Sequence, residues 1–218
     1  MLAIATLLSV LETPLRPELV ALWHARAQAQ CPATPLAAIE TSAQNCAALE
    51  VSGRIDATGA TLDPAFDVHV PAAELTRPVP GSAALVGYGA DGRALFSFPF
   101  IAAGAFKIHV ALASPLASAL TRLVLTANGQ SVERTAVSGD VPSAEAVATD
   151  DTTVVLAWNA RSFPALRVAT ASQGALVGYA TGSGTFEQTS FRTSARRLTV
   201  SFSDGIHSFD RTLSVMGR

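Results

Sequence analysis

The sequence predicts an all-β protein, built as two small antiparallel β-sandwich modules behind a short N-terminal apolar segment. Three observations predict it. From Leu49 onward apolar and polar residues alternate in short runs with period two. Asp-Gly and Asn-Gly dipeptides stand between such runs at Asp91-Gly92, Asn128-Gly129 and Asp204-Gly205, which is the strongest short-range hairpin signal. A small, polar, acidic stretch with one proline, at 138–153, divides the β-type text in two. The 218 residues are 49% hydrophobic, ample for packed cores, but aromatics are only 6% and charged residues 15%. The apolar content is therefore mostly Ala, Val and Leu, which favours thin, tightly packed layers over a large ligand cavity.

Residues 1–48 come first. The apolar run at 2–11 has no Lys or Arg before it, and Glu12, Pro14, Arg16, Pro17 and Glu18 separate it from the small residues at 27–29, so it departs twice from a secretory signal. Its alternative reading is a short helix or strand docking on the following domain. At ten residues it falls short of the ~20 that span a bilayer, and no membrane span is expected. Cys31 and Cys46 lie 15 positions apart, which excludes CxxC chemistry, and they lack the neighbouring His of a zinc site. They are read as a disulfide tying the segment to the first strand, worth on the order of 3 kcal/mol, in preference to two buried thiols. An oxidising compartment follows from that pairing.

The first module is expected over 49–140. It opens with short strands around Ala57, Gly59, Asp63 and Pro64, then reaches "ALVGYGADGRALFSFPF". Gly87, Gly89 and Gly92 satisfy G-x-G-x-x-G, but a phosphate-binding version must open a helix whose amide ends face the anion. The chain after Gly92 alternates, carries Pro99 and reads as extended. The stretch is therefore a hairpin with Asp91-Gly92 at its tip, and no dinucleotide cofactor is expected.

A linker is expected at 141–151 and the second module at 152–218, with about six strands and Trp158 filling the centre between its sheets. Two segments, 122–137 and 197–215, share the order strand, Asn-Gly or Asp-Gly turn, strand, then Glu/Asp-Arg-Thr and an apolar close. They read as related terminal hairpins. The pentapeptide "ALVGY" also occurs twice, at 84–88 and 175–179, but at a different offset from the hairpin match, so it is read as coincidence. The modules as a whole are expected to be Ig/fibronectin-like.

The succession "LEVSGRIDATGATLDPAFDV", "GRALFSFPF", "LAWNARSFPALRV" and "RRLTVSFSDGIHS" resembles the β-sandwich region that follows the catalytic domain in certain secreted bacterial zinc metallopeptidase-like proteins. The resemblance covers most of the chain from Leu49. It implies an accessory role, with the zinc chemistry in an upstream H-E-x-x-H domain that this sequence does not match. No catalytic residue carries over.

The chemistry-bearing residues agree with that. His24, His69, His109 and His207 have no second histidine at metal-binding spacing, and His69 and His109 read as surface or satisfied strand residues. No G-x-S-x-G elbow occurs. Asp140, Glu145, Asp150 and Asp151 read as a solvated acidic linker, with Ca²⁺ binding between domains as the alternative. Trp158 and Tyr179 read as packing residues, with a sugar-stacking platform as the alternative. A net charge of −2 with no Lys/Arg run excludes nucleic acid as a partner. The expectation is a non-enzymatic, secreted or cell-surface bacterial module, without metal or cofactor, that binds a protein partner or its own upstream domain, or self-associates. Its alternative is a structural subunit whose residues 2–11 donate a strand to a neighbour's sheet edge.

Overall fold

Strand β1 (Asn45–Asp56) organises the first half of the chain. The computed structural model describes residues 45–112, 114–137 and 140–217. Within β1, Leu49, Val51 and Ile55 point into a buried core while Glu50, Ser52 and Arg54 point away from it, the period-two pattern expected of a strand with one face against a core. The strand begins at Asn45, four residues before the expected boundary, so Cys46 is part of it, opposite Val70 and buried. Cys31 lies outside the described residues.

β1 pairs antiparallel with β2 (Gly59–Leu62), β3 (Phe66–Pro71) and β6 (Gly104–Ala111). At the β1–β2 turn the Asp56 carboxylate accepts from the Thr58 amide at 2.9 Å and its hydroxyl at 2.6 Å, and these bonds hold its pKa down to about 2. The facing sheet has the order β5 (Ala94–Phe100), β4 (Ala83–Gly89), β7 (Leu120–Ala127), β8 (Gln130–Thr135). A short helix, α1 (Ser114–Ala119), precedes β7. Both sheets contribute to one core, with Leu49, Val51 and Ile108 from one side and Leu85, Phe96, Phe98 and Leu125 from the other.

The glycine-rich stretch is a hairpin. β4 pairs antiparallel with β5, and Gly92 has φ 75°, a conformation glycine adopts without Cβ strain. Gly87 is glycine for another reason: a Cβ there would lie 2.2 Å from Cε1 of Phe96. The β7–β8 hairpin turns at Asn128 and Gly129, with φ 52° and 74°, the pair of positive values a two-residue type I′ turn requires.

The second half repeats the arrangement. One sheet has the order β13 (Glu187–Arg192), β10 (Thr153–Trp158), β9 (Ala144–Ala148). The other has β12 (Leu176–Thr181), β11 (Ala165–Thr170), β14 (Arg197–Ser203), β15 (Ser208–Ser214). The hairpins β7–β8 and β14–β15 thus hold the same place in their four-stranded sheets. The two "ALVGY" copies do not, since one is on central β4 and the other on edge strand β12. The architecture is all-β, two antiparallel sandwich-like halves. Trp158 is 1% exposed at the centre of the second core, and its Nε1–H donates to the Phe163 carbonyl at 2.9 Å, which satisfies the one polar atom the ring buries.

The stretch expected as a linker at 141–151 contains a strand, β9 (Ala144–Ala148), followed by a turn. β9 pairs with β10 on one side, and on the other Val147 bridges in parallel to Met216, with Ala148 and Met216 amides donating at 2.9 Å. Residues 149–152 are the tight β9–β10 turn, capped by the Asp150 carboxylate accepting from the Thr152 amide at 2.7 Å. Ala146 is buried in the second core and Ala144 and Ala148 pack against it. Alanine at every second position reads as linker composition because it is small.

Candidate functional site

The surfaces with the densest specific chemistry are where the two sandwiches meet. On the face of the first sheet turned away from its own core, Glu50 of β1 stands directly opposite Phe66 of β3 and His109 of β6. Glu50 is 6% exposed, and an isolated carboxylate in that position would be strongly disfavoured. Three basic side chains accompany it. Lys107 Nζ and His109 Nε2 lie 3.1 Å from Oε2, and Arg167, from β11 in the other sandwich, donates to Oε1. His109 Nδ1 meets the Glu74 carbonyl at 3.1 Å. Both ring nitrogens therefore face acceptor oxygens.

Burial alone would raise the Glu50 carboxyl. The Arg167 charge and the bonds from His109 and Lys107 outweigh it and hold the group below its ordinary value. The Arg167 guanidinium also stacks on the Phe66 ring, Cζ 4.1 Å from the centroid, and Tyr179 meets the same ring edge-on at 6.1 Å. Such contacts are worth roughly 0.5–2 kcal/mol each. Buried ion pairs add little net stability over apolar packing, but breaking one is costly. The cluster ties the two sandwiches together at this point, and removing one of its members would leave a buried charge unpaired.

The second contact is the turn between β14 and β15. Asp204 caps it by accepting from the Ile206 and His207 amides at 2.9 and 2.7 Å, which leaves Ile206 projecting outward from its own sandwich. That side chain is 0% exposed because it sits in the core of the first sandwich. Around it the Gly205 and Asp204 carbonyls accept from Ala65 and Val137 amides at 3.0 and 2.9 Å, His207 Nε2 donates to the Leu120 carbonyl at 2.8 Å, and the Ser208 amide donates to Asp67 at 2.9 Å. Gly205 has φ 112°, and a Cβ there would lie 2.8 Å from the Thr135 carbonyl oxygen.

The residues singled out from sequence scatter. His24 lies outside the described residues, His69 is exposed, and His109 and His207 are both held in the junction. Asp140 accepts from Ser162 and Asn159, Asp150 caps its turn, and Glu145 lies on β9. Among the described residues no three His, Cys, Asp or Glu side chains converge as a metal site. Trp158 is in the core and Tyr179 lies outside it on Phe66, so the two do not form one platform. No described helix is long and apolar enough to cross a membrane. Sequence reasoning missed Glu50, Arg167 and Ile206. Glu50 obeys the alternation and gives no sign of burial. Ile206 did carry a signal, an aliphatic residue at the tip of a polar turn. No protein-family model and no curated protein matches the chain.

Proposed function

We propose that the chain is a non-catalytic extracellular accessory or adhesion module that binds a partner or positions a secreted enzyme, its two halves being Ig/fibronectin-like sandwiches that act as one stiff body. The observation that carries this reading is the junction, where a buried carboxylate is shared with a guanidinium 117 residues away and an isoleucine of one sandwich completes the core of the other. Paired domains joined only by a linker move relative to each other. A filled, hydrogen-bonded junction suits a part that holds something at a set distance and angle. The three-plus-four grouping of strands in the second half supports the Ig/fibronectin-like reading. The likeness to accessory regions of secreted metallopeptidase-like proteins supports the attachment to an enzyme, and a Cys31–Cys46 disulfide belongs to the same proposal.

Cell fractionation with an antibody to the chain tests it. The module should be recovered from the culture fluid, or be removed from intact cells by added protease. Recovery from the cytoplasm alone, or turnover of peptide or ester substrates by the purified chain, overturns the reading.

A further inference from the structure

We propose that the outer face of the β12–β11–β14–β15 sheet carries a binding site for an acidic sugar, at the end away from the junction. Arg167 and Arg197 share this face: Arg167 stands opposite Ser201 of β14, and Arg197 lies four residues back along the same strand, roughly 13 Å away. Arg167 is consumed by Glu50. Arg197 and its neighbour Arg196 are not. They line a cleft of 370 Å³ together with the hydroxyl residues Ser172, Thr199 and Thr212 and two alanines. Thr199 stands directly opposite Thr212 across the β14–β15 pair, so the hydroxyls form part of a regular strand surface.

What distinguishes these groups is that two guanidiniums and three hydroxyls, none otherwise engaged among the described residues, line one cleft. Arg54, Arg93, Arg122 and Arg167 each pair with a carboxylate, whereas Arg77, Arg161, Arg192 and Arg211 have no carboxylate partner among the described residues but do not line this cleft. Among the described residues Arg196 and Arg197 have no ion-pair or side-chain hydrogen-bond partner, and neither do the hydroxyls of Ser172, Thr199 and Thr212. Two guanidiniums beside three uncommitted hydroxyls offer forked donors for a planar oxyanion and paired donor–acceptor groups for ligand hydroxyls. The volume is that of a small-molecule site and far exceeds a bare ion. Among the described residues no aromatic lines it, and these offer a nucleobase no stacking surface. The adjoining cleft, which also borders Arg196, contains Asp150 and Asp151. Those carboxylates repel a dense polyanion and leave room for a ligand with one or two negative charges. A uronic-acid unit, one carboxylate on a hydroxylated ring, meets each of these conditions. The inference stands on the cleft alone and does not depend on the function proposed above.

The test is a titration of the full ¹⁵N-labelled chain with digalacturonate, with maltose and sodium sulfate as separate arms. Digalacturonate should give saturable shifts centred on residues 171–172, 195–199 and 212, with a Kd on the order of 1 mM, and an Arg196→Gln/Arg197→Gln variant should weaken binding at least tenfold with an unchanged melting temperature. Equal binding of maltose, saturation by sulfate but not by digalacturonate, absence of any saturable shift, or undiminished binding by the double variant would each overturn the assignment.

Discussion

Replacing Ile206 by alanine separates an interlocked pair of sandwiches from two units that merely touch. The substitution removes three carbons from a side chain that is 0% exposed, a transfer loss of roughly 2.4 kcal/mol at ~0.8 kcal/mol per carbon. The space left among the side chains of the first core adds a cavity cost, for a total of about 3–4 kcal/mol. In a cooperative unit of this size that lowers Tm by roughly 6–16 °C. The assay is thermal unfolding followed by far-UV circular dichroism and by Trp158 fluorescence, in a Trp23→Phe background that leaves one tryptophan. Trp158 reports the second core, whereas the Ile206 side chain sits in the first. An interlocked molecule moves both transitions together. A loss under about 1 kcal/mol, as expected of an exposed turn residue, or a Trp158 transition that stays in place, refutes the reasoning. Ile206→Val, which keeps most of the volume, should cost only about 0.5–1.5 kcal/mol.

Three further variants have definite expected outcomes. Gly92→Val places a β-branched residue at φ 75° with nothing within 4 Å of the new Cβ, so its cost is backbone strain of roughly 1–3 kcal/mol. Gly87→Ala drives a Cβ against the Phe96 ring and should cost about as much through overpacking; urea unfolding measures both, and a neutral Gly92→Val denies the hairpin. The Glu50 carboxyl is held below its ordinary value, so its contribution to stability is fully present above the ordinary carboxylate range and is lost as pH falls through the lowered value. Glu50→Gln should remove roughly 3 kcal/mol at pH 7 by leaving Arg167 unpaired and should flatten the acid limb of stability against pH; an unchanged acid limb shows that the junction does not depend on this charge.

The legible part of the sequence was local. Asp91-Gly92 and Asn128-Gly129 mark their turns because positive φ has a short residue list, and Trp158 marks a core because little else accommodates an indole on an alternating strand. The similarity of the two Arg-Thr hairpins proved topological, since β8 and β15 occupy matching edges. The junction was not legible. Its partners are far apart in the chain, and nothing near Glu50 or near Arg167 says that they will meet. The misread linker failed for a related reason: a strand of alternating alanines has too little hydrophobic contrast to stand out from a small-residue loop, and only its pairing with β10 and Met216 makes it part of a sheet.

The place of Ile206 in the first core also has a consequence for the order of events on the ribosome. Domains ordinarily fold as they emerge, the N-terminal one first, at ~5–20 residues per second. Here β8 ends at Thr135, but Ile206, a buried member of the first core, emerges about 70 residues later. That interval is roughly 3.5–14 s of synthesis, during which the first sandwich lacks the Ile206 side chain. A chain held just short of residue 206 is therefore expected to be cut by protease within its first sandwich faster than the full chain, because one buried side chain of that core is missing.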